Sequence, residues 1–282
     1  MQTVECFNRH MMILARESRD LTQSGLAKAL GGVSQGTISK YESGIKEPTP
    51  DFLSDLSKIL KYKREFFFEH SRLYGMPPFH YRRRKSLGTK ALSKMVAEMN
   101  VRRIHLQILL RSYEEKYYKR IPEIDRDEYR SEFGKSFSIE DAARQLRERW
   151  MLPEGPIENV TSLLEKNGGI VIPCNFASDL IDAVSQRIDG LPVLFFVNMN
   201  APSDRLRYTL CHELAHVVLH TTTLLEDEKM EPEADAFAGA FLLPKKNIKS
   251  QLRTFNLRQV INLKRYWKVS MSAIAMRADK LN

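Results

Sequence analysis

Two histidines four residues apart, with a glutamate directly after the first, stand out as residues able to do chemistry: His212-Glu213-Leu214-Ala215-His216. On a helix that spacing puts both imidazoles on one face, where they can share a zinc ion at about 2.0–2.1 Å each. Glu213, one position on, does not compete for the metal. It can take the proton of a water activated there as that water attacks a carbonyl, so it is the expected general base. Leu210, Leu214, Val217 and Val218 supply the apolar sides that a buried metal helix needs. Tyr208, His212, His216 and His220 recur every four residues and form one stripe. His220 reads as a group supporting a ligand or the site, and Tyr208 as an oxyanion donor or a buried structural tyrosine. Cys211 points about 100° around the helix from His212 and reads as a small buried hydrophobe.

A catalytic zinc needs a third protein ligand and an open fourth position. The stretch MEPEADAFAGAFLLP, 230–244, offers carboxylates on an apolar helix. Pro232 suits the first turn of that helix. Glu233 then heads a face continued by Phe237 and Phe241, where a carboxylate is costly unless paired or metal-bound. Glu233 is the expected third ligand, with Glu231 and Asp235 as alternatives.

A second constellation lies near the N-terminus, in LTQSGLAKALGGVSQGTISKYESGIKE, 21–47. Leu26, Ala27 and Leu30 make an apolar face, Gly31-Gly32 a turn, and Val33 packs inward. Ser34 is placed to cap a helix running from Gln35 to Glu42, whose Ile38 and Tyr41 face the core. Gln35, Thr37, Ser39 and Lys40 sit near the start of that helix. Such a helix end fits a major groove, where a Gln side chain bonds bidentately to adenine.

The elements that must position these residues divide the chain. Residues 7–62 read as four or five short helices. A Pro-containing basic connector follows at 71–86, carrying Arg82, Arg83, Arg84 and Lys85 as candidate phosphate contacts. Helical spacing returns at 88–118, 138–150 and 157–167. GIVIP at 169–173, DAVSQRI at 182–188 and PVLFFVN at 192–198 read as short strands, the last two a candidate hairpin. Helices follow at 204–220, 231–242, 246–253 and 256–279. The expected domains are 1–70, a helix-turn-helix; 71–136, a connector and helical linker; and 137–282, a metal-site domain. The fold class is mainly α, an all-α first domain followed by an α+β domain with a small sheet.

Charge follows the same division. The net charge is +9, and the first 120 residues carry all of the positive excess. That asymmetry suits a polyanionic partner at the N-terminal end. Three separated cysteines read as reduced thiols of a cytoplasmic protein. The lack of an apolar run long enough to span a bilayer gives no reason to expect a membrane partner.

Both motifs resemble known families. T-Q-x-x-L-A followed by V-S-Q-x-T-I-S-K-Y-E-S-G resembles the Xre family of Cro/lambda-repressor-like domains over about the first 65 residues. The resemblance implies that Gln23 supports or reaches phosphate and that Gln35, Thr37 and Lys40 face a double-stranded DNA operator. R-Y-T-L-x-H-E-L-A-H-x-x-L-H, with E-x-E-A-D-x-F-A-x-x-F-L-L-P after it, resembles the ImmA/IrrE family over roughly 137–280. This implies a zincin-like metallopeptidase domain binding one Zn2+ per chain through His212, His216 and Glu233, with Glu213 as base. It also implies cleavage or inactivation of an Xre-type repressor, a partner or the chain itself, in response to stress or mobile-element signals. A homodimer is expected from paired operator half-sites. Two other functions fit the same residues: a transcription factor whose zinc domain senses without proteolysis, and a toxin-antitoxin or phage-defence component.

Overall fold

A computed structural model describes residues 6–77, 87–112, 119–125, 137–220, 227–253 and 256–281. The chain forms two compact units. The basic cluster Arg82, Arg83, Arg84 and Lys85 lies outside the described residues, as does 113–118 of the expected helix 88–118.

The first unit is all helical: α1 (Arg9–Ser18), α2 (Gln23–Leu30), α3 (Gln35–Ser43), α4 (Pro50–Leu60), a 3-10 turn (Arg64–Phe68) and α5 (Thr89–Leu110). Four N-caps start its helices. Asn8, Thr22, Ser34 and Thr49 each accept a backbone N–H of the first turn, satisfying a donor that the helix leaves unpaired. Pro50 opens α4, where a missing N–H costs nothing. Met11, Met12, Leu26, Ile38, Leu56 and Phe67 are fully buried and make the core. Phe66 and Phe67 close that core beside Tyr62, with Phe68 packed on its edge. The helix read in sequence as a linker groups with this unit: Ala97, Val101 and Ile104 of α5 join the same hydrophobic cluster.

The second unit holds α6 (Ile139–Arg149), α7 (Val160–Lys166), β1 (Gly169–Cys174), β2 (Ala183–Gln186), β3 (Val193–Asn198), α8 (Ser203–Leu219), α9 (Asp227–Leu242), α10 (Lys245–Ile248), α11 (Leu257–Trp267) and α12 (Met271–Leu281). The sheet order is β1-β3-β2. β3 pairs antiparallel with β2 and parallel with β1, so it is central, and every residue of β3 is buried. This explains its unbroken apolar run Val193–Val197, which shows no alternation. The expected single helix 256–279 is two helices. Lys268, at φ 56, ends α11 in the left-handed region, and Ser270 caps α12 through Ala273 N. Trp267 is 1% exposed and Trp150 packs edge-on against Phe241, so both tryptophans belong to this core.

Gly168, between α7 and β1, is the glycine least able to accept a side chain among the described residues. Its φ is +99, and a Cβ there would run into the backbone carbonyl of Lys119. Gly168→Ala should destabilise this unit by about 2–4 kcal/mol, since neither backbone can yield cheaply. Both tryptophans of the chain lie in this unit, so the urea midpoint of tryptophan fluorescence checks it; an unchanged midpoint would refute the clash.

Candidate metal centre and nucleic-acid interface

α8 carries the H-E-L-A-H residues. It lies on the sheet through β2 and pairs with α9, and its central residues are almost wholly enclosed: His212 is 3% exposed, Glu213 0% and His216 1%. Helical spacing brings the two Nε2 atoms together at 3.2 Å. Glu231 of α9 completes the group, its Oε1 lying 3.3 Å from His216 Nε2 and 3.7 Å from His212 Nε2. These three are the group whose donor atoms all lie within 4.8 Å of one another among the described residues. A tetrahedral ion with bonds near 2.0–2.1 Å has ligand–ligand edges of about 3.3–3.4 Å. The three donor atoms already stand close to that spacing, and two imidazoles with one carboxylate are a donor set that zinc accepts.

Glu233, the expected third ligand, is placed elsewhere. Its Oε2 lies 3.2 Å from Nε2 of His220. The reason is where α9 starts. Pro232 was expected in the first turn, but the helix begins at Asp227 and Pro232 sits inside it. Glu231 and Asp235 then stand one turn apart on the face toward His212, while Glu233 is displaced along α8 toward His220.

The outer nitrogens of both histidines are held. Nδ1 of His212 meets Oδ1 of Asp235 at 2.9 Å. Nδ1 of His216 meets Nδ1 of His220 at 2.9 Å, and His220 in turn meets Glu233. If Nε2 of His216 carries the metal, its Nδ1–H donates to His220, whose Nε2–H donates to Glu233. One carboxylate thus orients His212 directly and another orients His216 through an intervening imidazole. Burial opposes a charge on His212, but its hydrogen bonds to Asp235 and Glu231, with the charge of Glu213, outweigh that and hold its pKa up at about 9. The same negative field that favours a proton there favours a divalent cation.

Glu213 points to the sheet. Its Oε2 accepts the backbone N–H of Ser185 at 2.8 Å and the Ser185 hydroxyl at 2.7 Å. No pattern around DAVSQRI singled out Ser185, because a lone serine in a strand carries no spacing signal. The Tyr208 hydroxyl donates to the carbonyl of Asp235 at 2.8 Å, which ties α8 to α9. Cys211 is fully buried, and burial pushes its thiol up to about 12, which leaves it an inert packing group.

In the first unit, a chain of hydrogen bonds runs from the core to the head of α3. Arg16, 8% exposed, binds both oxygens of Glu42 at 2.5 and 3.0 Å. Gln23 donates to Glu42 at 2.8 Å, and Gln35 donates to Gln23 at 2.7 Å. Gln35 and Lys40 are exposed, and Thr37 and Ser39 half-buried. The turn before α3 takes Gly31 and Gly32 at φ 64 and 73, a conformation that favours glycine at both positions.

A helix-turn-helix unit and a unit with an H-E-x-x-H helix laid on a small sheet define a regulator carrying a metallopeptidase-type domain. Comparison with protein families agrees: residues 12–67 match the helix-turn-helix model and residues 168–279 match that of the IrrE N-terminal-like domain. The chain is a fusion of an Xre-type helix-turn-helix with an IrrE/ImmA-like domain. No curated protein matches it. Among the described residues no helix is long and apolar enough to cross a membrane.

Proposed function

We propose that this protein is a cytoplasmic transcriptional regulator that binds an operator as a homodimer and carries a zinc-dependent peptidase. The peptidase cleaves or inactivates an Xre-type repressor, in trans or the chain itself, in response to stress or mobile-element signals. The observation that carries the reading is the convergence of His212, His216 and Glu231 at tetrahedral spacing with Glu213 next to His212 on the same helix. His212, His216 and Glu231 hold one Zn2+ per chain, which when bound supplies a Lewis acid to polarise a peptide carbonyl and acidify water. Glu213 takes the proton of the attacking water and delivers it to the departing amide nitrogen. Ser185 fixes the rotamer of that carboxylate. Asp235 and the His220–Glu233 pair hold the two imidazoles in their productive tautomers.

A second reading is favoured by one observation. Ser185 ties the fully buried Glu213 to β2, an arrangement that also suits a zinc-binding sensor with no proteolysis. The Glu213→Gln variant separates the two. As a peptidase, the variant should keep its zinc and lose at least about 100-fold in cleavage of a co-expressed Xre-type repressor or of its own chain. As a sensor, parent and variant should both leave every such substrate intact while regulation of the operator stays normal.

A further inference from the structure

The helix-turn-helix match ends at residue 67, yet the unit that carries it continues through α5. A cleft of about 460 Å³ joins the two parts. Thr22 and Ser24 at the start of α2 and Gln35 at the head of α3 line one side of it; Lys90, Ser93 and Lys94 of α5 line the other. In this motif the head of the second helix meets base edges while the first helix crosses the sugar-phosphate backbone. A strand lying across the start of α2, beside a base contact from Gln35, therefore runs past this cleft.

We propose that the first two turns of α5 extend the DNA-binding face, with Lys94 and Lys90 gripping phosphates of the strand that crosses the start of α2. The proposal rests on the DNA-binding reading of the first unit and adds a surface to it. α5 is no loose tail: Ala97, Val101 and Ile104 anchor it in the core, so its lysines are presented from a fixed element. Among the described residues no carboxylate forms an ion pair with Lys94. Lys90 pairs with Asp20 at 3.1 Å, but the two side chains are 63% and 44% exposed, and an exposed pair of this kind holds weakly enough to be exchanged for a phosphate. The other carboxylate of the cleft, Glu17, is already 3.5 Å from Arg16. Lysine serves here as a point charge that follows the backbone and carries no sequence information.

The test is the salt dependence of binding of the full chain to a mixed-sequence DNA duplex of about 30 base pairs, long enough to hold several phosphate contacts per strand. Each phosphate contact contributes about −0.9 to the slope of log K against log salt. The K90Q/K94Q variant should lose about 1.8 from that slope and weaken on any duplex alike. K90R/K94R should restore the slope. Lys94→Met alone, which keeps the apolar stem, should lose about 0.9 and guards against misfolding of the double variant. An unchanged slope in K90Q/K94Q beside a salt-dependent parent would overturn the proposal and leave the DNA-binding reading standing. A parent that binds no duplex at low salt would overturn both.

Discussion

Glu231→Ala should abolish stoichiometric zinc binding, whereas Glu233→Gln should keep the ion and only weaken its hold. The two carboxylates are two residues apart on one helix, and their roles differ because of what each touches. Glu231 Oε1 stands 3.3 and 3.7 Å from the two Nε2 atoms, so its loss removes a donor atom and leaves two imidazoles alone. Glu233 reaches His220, which braces Nδ1 of His216 from behind. Loss of such an outer partner costs roughly 10–100-fold in affinity, and loss of a ligand should exceed that. Zinc per chain by elemental analysis, followed by competition with a chromophoric chelator, reads both. If Glu233→Gln lost the metal and Glu231→Ala kept it, the assignment would have to be reversed.

The second large effect lies in the first unit. Glu42→Ala should destabilise it by about 3 kcal/mol, near the low end of what breaking a buried ion pair costs. The variant leaves the Arg16 guanidinium enclosed without its bidentate partner; the remaining bond to the Leu21 carbonyl at 2.8 Å and the nearby Glu17 recover only part of the loss. Gln23 would also lose its acceptor, and with it the brace that aims Gln35. Gln23→Ala should therefore leave stability nearly unchanged while loosening sequence preference. Tryptophan fluorescence reports only the second unit, so the Glu42→Ala loss should appear in circular dichroism as an early transition to which fluorescence is blind. Coincident transitions at the parent's midpoint would contradict it.

Both motifs were legible because each is local. Ser34, Val33 and Ile38 mark a cap, a turn and a buried face within a few residues, and His212 to His216 lie within one turn of one helix. The three strands were legible as β-prone runs between Gly and Pro breaks. Their order was not, because a parallel pairing of β1 with β3 is decided by what covers the sheet and not by either strand's composition. That Glu231, and not Glu233, groups with His212 and His216 was hidden for a related reason. A proline is compatible with the start of a helix, and reading Pro232 that way moved the start of α9 by more than a turn. Only the packing of α9 on α8 decides which of Glu231, Glu233 and Asp235 reaches which histidine. The break at Lys268 left no signal either, since a lysine in the left-handed region is chosen by its surroundings. α5 read as a linker because its apolar residues fit helical spacing without showing which unit they would bury against.

Arg147 of α6 is 7% exposed and donates to three carbonyls: Phe241 at the end of α9 at 2.8 Å, Pro153 at 2.7 Å and Gly155 at 3.0 Å. Glu140, also on α6, holds Arg277 of α12 at 2.6 Å. Both anchors lie before residue 168, outside the span that matches the IrrE-like model. A fragment trimmed to that span would retain His212, His216 and Glu231 and yet strip the cover from the helix that presents Glu231. The span that the family model matches is therefore shorter than the packed unit that supports Glu231, and grafting this centre onto another scaffold would require α6 to travel with it.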